Sequence, residues 1–302
     1  MDAKHAAGKL LSHRLRGFDS VEHSPSALRA ACGSGVRYLE VDTRATRDGH
    51  IFIYHDRSTG ADVNGRCRFD HATARDVSAL RFVNGEPLLG LEDALAVFAE
   101  RAGDDQRLCL DIKDYGFERE HLDAVREAGL EDRVVFVSWI PQTLRRLSAM
   151  GARCPLILSH WNVRHRGALG RAATRVAGRR IVAFGPYVLM GPRSIERPLG
   201  SLARGYQHCL VCRDVPAPLA DLLAARGGGV CVPLWSLCTS LESYCARAGL
   251  EIWVFSAGDA AQFMRYATNA AVSVVFCDDA RTVGRQLASG ARERASGGGR
   301  SS

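Results

Sequence analysis

Glu40-Val41-Asp42 and Asp111-Ile112-Lys113 put four charged side chains into segments otherwise built of Tyr, Leu, Val, Cys and Ile. Both read as β-strands, over 38–43 and 108–113, because aliphatic and β-branched residues dominate them. Residues two apart on a strand share a face, so Glu40 projects with Asp42, and Asp111 with Lys113. Carboxylates on such strands are costly to bury without partners. Three of them converging with a lysine form the donor set a hard divalent cation takes beside an anionic oxygen, so Glu40, Asp42 and Asp111 are the candidate ligands. Oxygen-only ligation favours Mg2+ or Ca2+ over zinc. His13-Arg14 and His55-Asp56 lie at or near further strand ends. His13 and His55 can exchange protons near neutral pH, and Arg14 and Lys113 can meet phosphate oxygens as a fork and a point charge. Together these groups suggest a divalent metal beside a phosphate, with two proton carriers at hand.

The elements that must position them alternate. Strands are predicted at 10–13, 38–43, 108–113, 134–139, 155–159, 230–235, 251–255 and 273–277, with helices between them. The strand at 51–55 is an extra hairpin arm, joined to its predecessor through Arg47-Asp48-Gly49-His50. Pro25 and Gly35 punctuate the first helix. Repeated strand–helix units of this number predict an α/β fold, a (β/α)8 TIM barrel over residues 1–288, with functional groups at the carboxyl ends of its strands. Residues 162–229, before the sixth strand, are too long for one crossover. They hold an arginine-rich helix at 164–180, an apolar run at 181–190 and Gly/Pro-rich turns. This insertion is either an elaborated crossover with a solvated basic face or a cap over the barrel mouth that selects the substrate or touches an anionic surface. The tail, 289–302, has the composition of a disordered segment.

Composition narrows the partners. With 46% hydrophobic and 24% charged residues the chain can fill a core of this size. Net charge is +7, but arginine is spread along the whole chain, so neither a nucleic-acid partner nor membrane-surface contact is expected. No stretch nears the ~18 apolar residues of a membrane span, and the first eleven residues lack the apolar core of a secretory signal. A cytoplasmic location is expected, with the ten cysteines kept as thiols. Cys209-Leu210-Val211-Cys212 reads as strand, where residues three apart face opposite sides, which argues against a zinc site. Gly33-Ser34-Gly35 follows a helix rather than a strand and is no phosphate loop.

The order His13-Arg14, Glu40-Val41-Asp42, His55-Asp56, Asp111-Ile112-Lys113 resembles the glycerophosphodiester phosphodiesterase family. Its members carry His-Arg-Gly on the first strand, Glu-x-Asp on the second, His-Asp soon after and Glu-x-Lys on the third. Thr46-Arg47-Asp48-Gly49, Leu89-Gly90-Leu91-Glu92, Gly249-Leu250-Glu251-Ile252-Trp253 and Phe276-Cys277-Asp278-Asp279 are similar to further pieces of that pattern. Five features depart from it. Leu15-Arg16 separates Arg14 from Gly17; Val21-Glu22-His23-Ser24 replaces Pro-Glu-Asn-Thr; Asp111 replaces glutamate, as in venom sphingomyelinase D-like phospholipases; Phe255-Ser256-Ala257-Gly258 replaces Trp-Thr-x-Asn; and the insertion has no clear counterpart.

The resemblance implies a small-molecule phosphodiester as substrate, with His13 and His55 flanking the scissile bond as acid and base in an order left open. Arg14 and Lys113 would bind phosphate, and Phe255, with Trp139, is a candidate for the pocket wall. Two alternatives keep the same residues: a phospholipase D-like lyase that forms a cyclic phosphate from a lysophospholipid or sphingolipid, and a barrel that binds a phosphorylated ligand without turnover. Two retained proton carriers count against the last.

Overall fold

Val134–Ser138, Leu156–Ser159, Gly229–Pro233 and Val274–Cys277 are buried at every position. A strand buried on both faces needs a core on one side and helices on the other, the situation of a closed parallel sheet. In the computed structural model, which describes residues 3–177 and 181–297, these strands belong to such a barrel. Its members are β1 (Leu10–Ser12), β2 (Tyr38–Ala45), β3 (Arg107–Ile112), β4 (Val134–Ser138), β5 (Leu156–Ser159), β6 (Gly229–Pro233), β7 (Glu251–Ala257) and β8 (Val274–Cys277). Each pairs in parallel with the next, and β1 pairs with both β2 and β8, closing the ring.

Alternation along the strands sorts their side chains. Leu10, Leu39, Val41, Leu108 and Leu110 belong to the large outer core, whereas Leu11, Cys109, Val135, Cys231 and Trp253 form a separate inner cluster. Glu40 and Asp42 alternate with Leu39 and Val41, and the β2–β3 register sets Glu40 beside Cys109 and Asp42 beside Asp111. Three carboxylates thus rise on the inner face above an apolar plug. The hairpin is present as expected: Ile51–Ile53 pairs antiparallel with Thr43–Ala45, and Gly49 takes the φ of +90° that the turn requires. Tyr54 N donates to Asp42 O at 2.9 Å, which brings His55 to the barrel mouth.

The insertion is a small sheet of its own. Trp161–Asn162, Gln207–Cys212, Tyr187–Met190 and Ile181–Phe184 lie side by side in that order. The arginine-rich stretch is a short 3-10 turn followed by a helix over Gly167–Ala177; residues 178–180 lie outside the described residues. The apolar run 181–190 is a hairpin turning at Gly185-Pro186. The return of the insertion is fastened to the barrel mouth. Gly205 N donates to Asp114 Oδ1 at 2.9 Å and Tyr115 N to Ala203 O at 3.0 Å, while the Arg204 guanidinium lies 4.2 Å from the Phe117 ring centre. Helix Ala280–Gly297 runs past Ser289, so the described part of the tail is helical where composition predicts disorder; 298–302 lie outside the described residues. No described helix is long and apolar enough to cross a membrane.

One constraint lies at the base of β6. A Cβ on Gly229 would sit 2.1 Å from Glu251 O, and one on Gly228 2.0 Å from Leu156 O, so β5, β6 and β7 approach there more closely than any side chain permits. Gly229→Ala should therefore lower unfolding stability by roughly 1–3 kcal/mol or more. Gly258→Ala, where the nearest atom lies 3.8 Å away, should cost far less. Urea denaturation of both variants checks this; equal midpoints would mean the barrel yields at β6 without strain.

Candidate active site

The chain leaves β1 through a tight turn, His13–Leu15, in which Arg14 and Leu15 have φ of 55° and 58°. Left-handed backbone is unfavourable for such residues and persists only where the surroundings over-determine it. Here Arg14 N donates to Glu40 Oε2 at 2.8 Å, His23 N donates to Arg14 O at 3.3 Å, and the Leu15 side chain is buried. His13 Nδ1 lies 2.6 Å from Asp278 Oδ1, just beyond β8. Asp278 also accepts from Arg16 Nη1 at 3.1 Å, and Arg16 Nε donates to Glu22 at 2.6 Å. Burial pushes the Asp278 carboxyl up, but its bonds and charge pairing with His13 and Arg16 outweigh that and hold it at about 2. The His13 ring is driven toward its neutral form by burial, against the pull of Asp278. His55 is built alike: Nδ1 lies 2.7 Å from Asp56 Oδ1, and burial lowers its pKa to about 4 despite Asp42 and Asp56.

The carboxylates line the same cavity as the two histidines. Glu40, Asp42 and Asp111 each offer an oxygen within 4.8 Å of the others, and all three are buried. Lys113 Nζ sits 2.7 Å from Asp42 Oδ1 and 2.6 Å from Asp111 Oδ2. Asp42 Oδ2 is 3.2 Å from Arg14 Nε and 3.3 Å from His23 Nε2. Burial raises the Glu40 carboxyl well above its ordinary range, and Asp42 and Asp111 add to it. Asp42 is buried too, yet Lys113, His55, His23 and Arg14 hold it well below the usual carboxylate range. Asp111 is raised by burial and by Asp42, against Lys113. Lys113 stays charged because Asp111 and Asp42 overcome its own burial.

The set is short of positive charge. Fully ionised, the three carboxylates would exceed Lys113 and Arg14 by one negative charge, and Asp111 Oδ1 is buried without a hydrogen bond. Such a donor set fits a hard divalent cation and could hold one.

All eight residues singled out from the sequence (His13, Arg14, Glu40, Asp42, His55, Asp111, Lys113 and Phe255) line one cavity of about 240 Å³ at the carboxyl end of the barrel. Its apolar wall is Trp139, Phe255 and Phe276, with Trp139 and Phe255 edge to face at 5.6 Å. The insertion supplies the far side through Tyr187, Tyr206, Gln207, His208 and Cys209, with Trp161 at its base.

Sequence reasoning missed several parts. Asp278 stood only as part of a strand ending, although an acid just past an inward-facing aromatic strand was the available signal. His23 lies on Asp42, and Arg16 and Glu22 brace Asp278. His208 also lines the cavity, with Nε2 bonded to Leu202 O at 2.8 Å. Its pairing lies within the insertion, where no motif pointed.

Residues 6–181 match the model of the glycerophosphoryl diester phosphodiesterase family. The chain belongs to that family. It is 30% identical over 146 residues to a probable glycerophosphodiester phosphodiesterase 2 of Mycobacterium tuberculosis, an alignment covering 47% of this chain and 53% of that protein. It is 25% identical over 152 residues to a glycerophosphodiester phosphodiesterase of Caldanaerobacter subterraneus, covering 47% and 62%. The chain thus matches less than two thirds of the length of these curated relatives. Among solved structures, a putative glycerophosphoryl diester phosphodiesterase from Silicibacter pomeroyi superposes with a TM-score of 0.67 at 16% identity, covering 94% of each chain. An Oleispira antarctica phosphodiesterase solved with the product sn-glycerol-3-phosphate superposes at 0.63 and 15%, covering 96% of this chain and 100% of that one. These two likenesses establish a shared fold.

Against the glycerophosphodiester phosphodiesterase pattern, the departures acquire physical reasons. The extra Leu15-Arg16 buries one side chain in the core and delivers the other to Asp278. Gly17 follows at φ +81°, where a Cβ would meet Asp279 at 2.9 Å. Ser24 caps helix Pro25–Cys32 by accepting from Ala27 N, which leaves His23 free to reach Asp42. The family match ends at residue 181, so most of the insertion and Phe255, Phe276 and Asp278 fall outside it.

Because burial favours the neutral His55 ring, that imidazole should titrate near pH 4 in the metal-free protein rather than at the usual ~6.5. The Asp56 carboxylate favours the protonated ring, so Asp56→Asn should lower the value further. Proton–nitrogen NMR of the histidines reads both. A His55 titration at its ordinary pH would mean that the ring is solvated.

Proposed function

We propose that this chain is a metal-dependent phosphodiesterase that cleaves glycerophosphodiesters or similar small phosphodiesters, with His13 and His55 as its proton carriers. The observation that carries the reading is the shared cavity. Two imidazoles, each held at Nδ1 by a carboxylate, line it together with three buried carboxylates, Lys113 and Arg14. A site that only bound phosphate would need the charge but neither proton carrier. The glycerol phosphate bound by the Oleispira antarctica relative supports a glycerophosphodiester as the substrate class.

Glu40, Asp42 and Asp111 would hold Mg2+ or Ca2+, which when bound supplies positive charge for the phosphate oxygens. The chain does the rest. Arg14 and Lys113 orient the phosphate and keep Asp42 ionised. One histidine takes the proton of the attacking hydroxyl and the other gives a proton to the leaving alcohol oxygen. Asp278 and Asp56 fix the two rings and stabilise each when it carries its extra proton. Phe255 and Trp139 form the apolar wall beside the reacting group, and the insertion 162–229 caps the barrel and limits the size of the alcohol it admits. The attacking hydroxyl belongs either to water or to the substrate. Phosphorus NMR of the products separates them, a phosphomonoester marking hydrolysis and a cyclic phosphate the lyase course.

His13→Ala and His55→Ala should each lower kcat on the order of 10²–10⁴-fold, with divalent affinity nearly unchanged. The double variant should lose little more than either single one, since groups acting as a unit are not additive. At saturating metal, kcat/KM against pH should be bell-shaped. Its acidic limb should lie below the ordinary histidine range, because burial lowers both rings and the base must be neutral. Near-full activity in His55→Ala would remove the two-histidine mechanism.

Asp111→Asn tests the cation separately. Calorimetric titration should show weakened Mg2+ and Ca2+ binding with the circular dichroism spectrum unchanged. Unaltered affinity would exclude Asp111 as a ligand.

A further inference from the structure

The net charge of +7 allows an anionic surface as partner, but arginine spread through the chain does not single one out. The structure gathers what composition averages out. Seven large apolar side chains are exposed among the described residues. Six of them (Trp161, Leu169, Val182, Phe184, Tyr187 and Trp235) lie on the insertion or on the loop that follows β6, and two of these, Trp161 and Tyr187, line the cavity. Phe184 and Leu169 are 74% and 77% exposed. Phe184 pairs across its hairpin with Tyr187, and Tyr187 lines the cavity together with Trp161. The apolar tips are therefore continuous with the rim of the active-site cavity. Arg166, Arg171 and Arg175 stand exposed among them, with no ion-pair partner among the described residues. From residue 133 to residue 195 the sequence contains no aspartate or glutamate.

We infer that this cap face is a docking surface for an anionic lipid bilayer, which seats the cavity mouth against the headgroup layer. Exposed aromatic and aliphatic tips between unpaired arginines match an interface that is apolar within and negatively charged at its surface. Contiguous exposed apolar side chains of this kind mark an interaction surface. A second copy of the chain is a poorer occupant, because a self-complementary interface would oppose arginine with arginine. A nucleic acid would use the arginines but has no use for Leu169 and Val182, which offer no ring to stack on a base.

Sedimentation of the full chain with phosphatidylcholine vesicles, with and without phosphatidylglycerol, reads the proposal without turnover, so it stands or falls apart from the catalytic reading. Binding should appear on the anionic vesicles and weaken as salt rises. Each arginine near the surface is worth about 5-fold in partitioning, so Arg171→Glu with Arg175→Glu should lower it by more than 10-fold. Phe184→Ser should lower it on the order of 10-fold on the same vesicles. Both variants should keep the wild-type melting temperature and wild-type turnover of a soluble diester. The proposal is overturned if the wild type stays in the supernatant, or if neither variant alters binding. It also fails if light scattering shows a dimer that Phe184→Ser disperses without vesicle binding. Retention on poly(U) that is lost with the arginines but indifferent to Phe184→Ser, with no vesicle binding, would assign the face to nucleic acid instead.

Discussion

Three carboxylates crowded on adjacent strands, with Lys113 locked between two of them, set the terms for the rest of the site. Like charges at this spacing in a poorly solvated interior cannot all ionise unassisted. Lys113 meets Asp42 and Asp111 at 2.7 and 2.6 Å, and the Arg14 backbone and guanidinium meet Glu40 and Asp42. Removing one partner of a buried charged set leaves the others uncompensated, typically a loss of about 3–5 kcal/mol. The turn after β1, the β2–β3 register and the stub of chain beyond β3 are therefore bound together by one electrostatic requirement. The left-handed backbone at Arg14 and Leu15 is tolerated because it points Arg14 N at Glu40.

A second buried pair extends that support outward. Arg44, almost fully buried, donates from Nη1 to Asp114 at 3.2 Å and from Nε to the His55 carbonyl at 2.9 Å. Asp114 in turn accepts from Ala45 N and from Gly205 N of the insertion. One ion pair thus fixes β2, the end of the hairpin arm that carries His55, and the cap. His55 and the cap cannot shift independently without breaking hydrogen bonds to a buried charge. Gly205 suits the position: its φ is +70°, and a Cβ there would strike the Arg57 and Asp70 side chains.

What the sequence made legible was whatever obeyed a short period. Glu40 and Asp42 could be placed together because strands repeat every two residues, and the Asp48-Gly49 turn fixed the hairpin. Eight buried strands separated by helices left few arrangements other than a closed barrel. Contacts between distant loops have no such period. Asp278 reaches His13 across 265 positions, and nothing local marks it as that ring's partner rather than as the helix-capping acid that its neighbour Asp279 resembles. The run 181–190 was apolar enough for several structures, and its Gly185-Pro186 turn signal distinguishes a hairpin only once a sheet exists to receive it. His208 faced the same difficulty, since its carbonyl partner Leu202 is positioned by the fastening at Asp114.

Charge then explains why the site takes the form it does. Lys113 is spent on Asp42 and Asp111, and Arg14 on Asp42 and Glu22, so neither cation is free to face an anion alone. With all three carboxylates ionised, the cavity would hold one negative charge in excess over Lys113 and Arg14. A divalent cation held on Glu40, Asp42 and Asp111, as proposed, would turn that excess into a single positive charge, the complement of a singly charged diester. On that proposal, the strand carboxylates that make the barrel interior costly would be the groups through which the cavity attracts a phosphodiester.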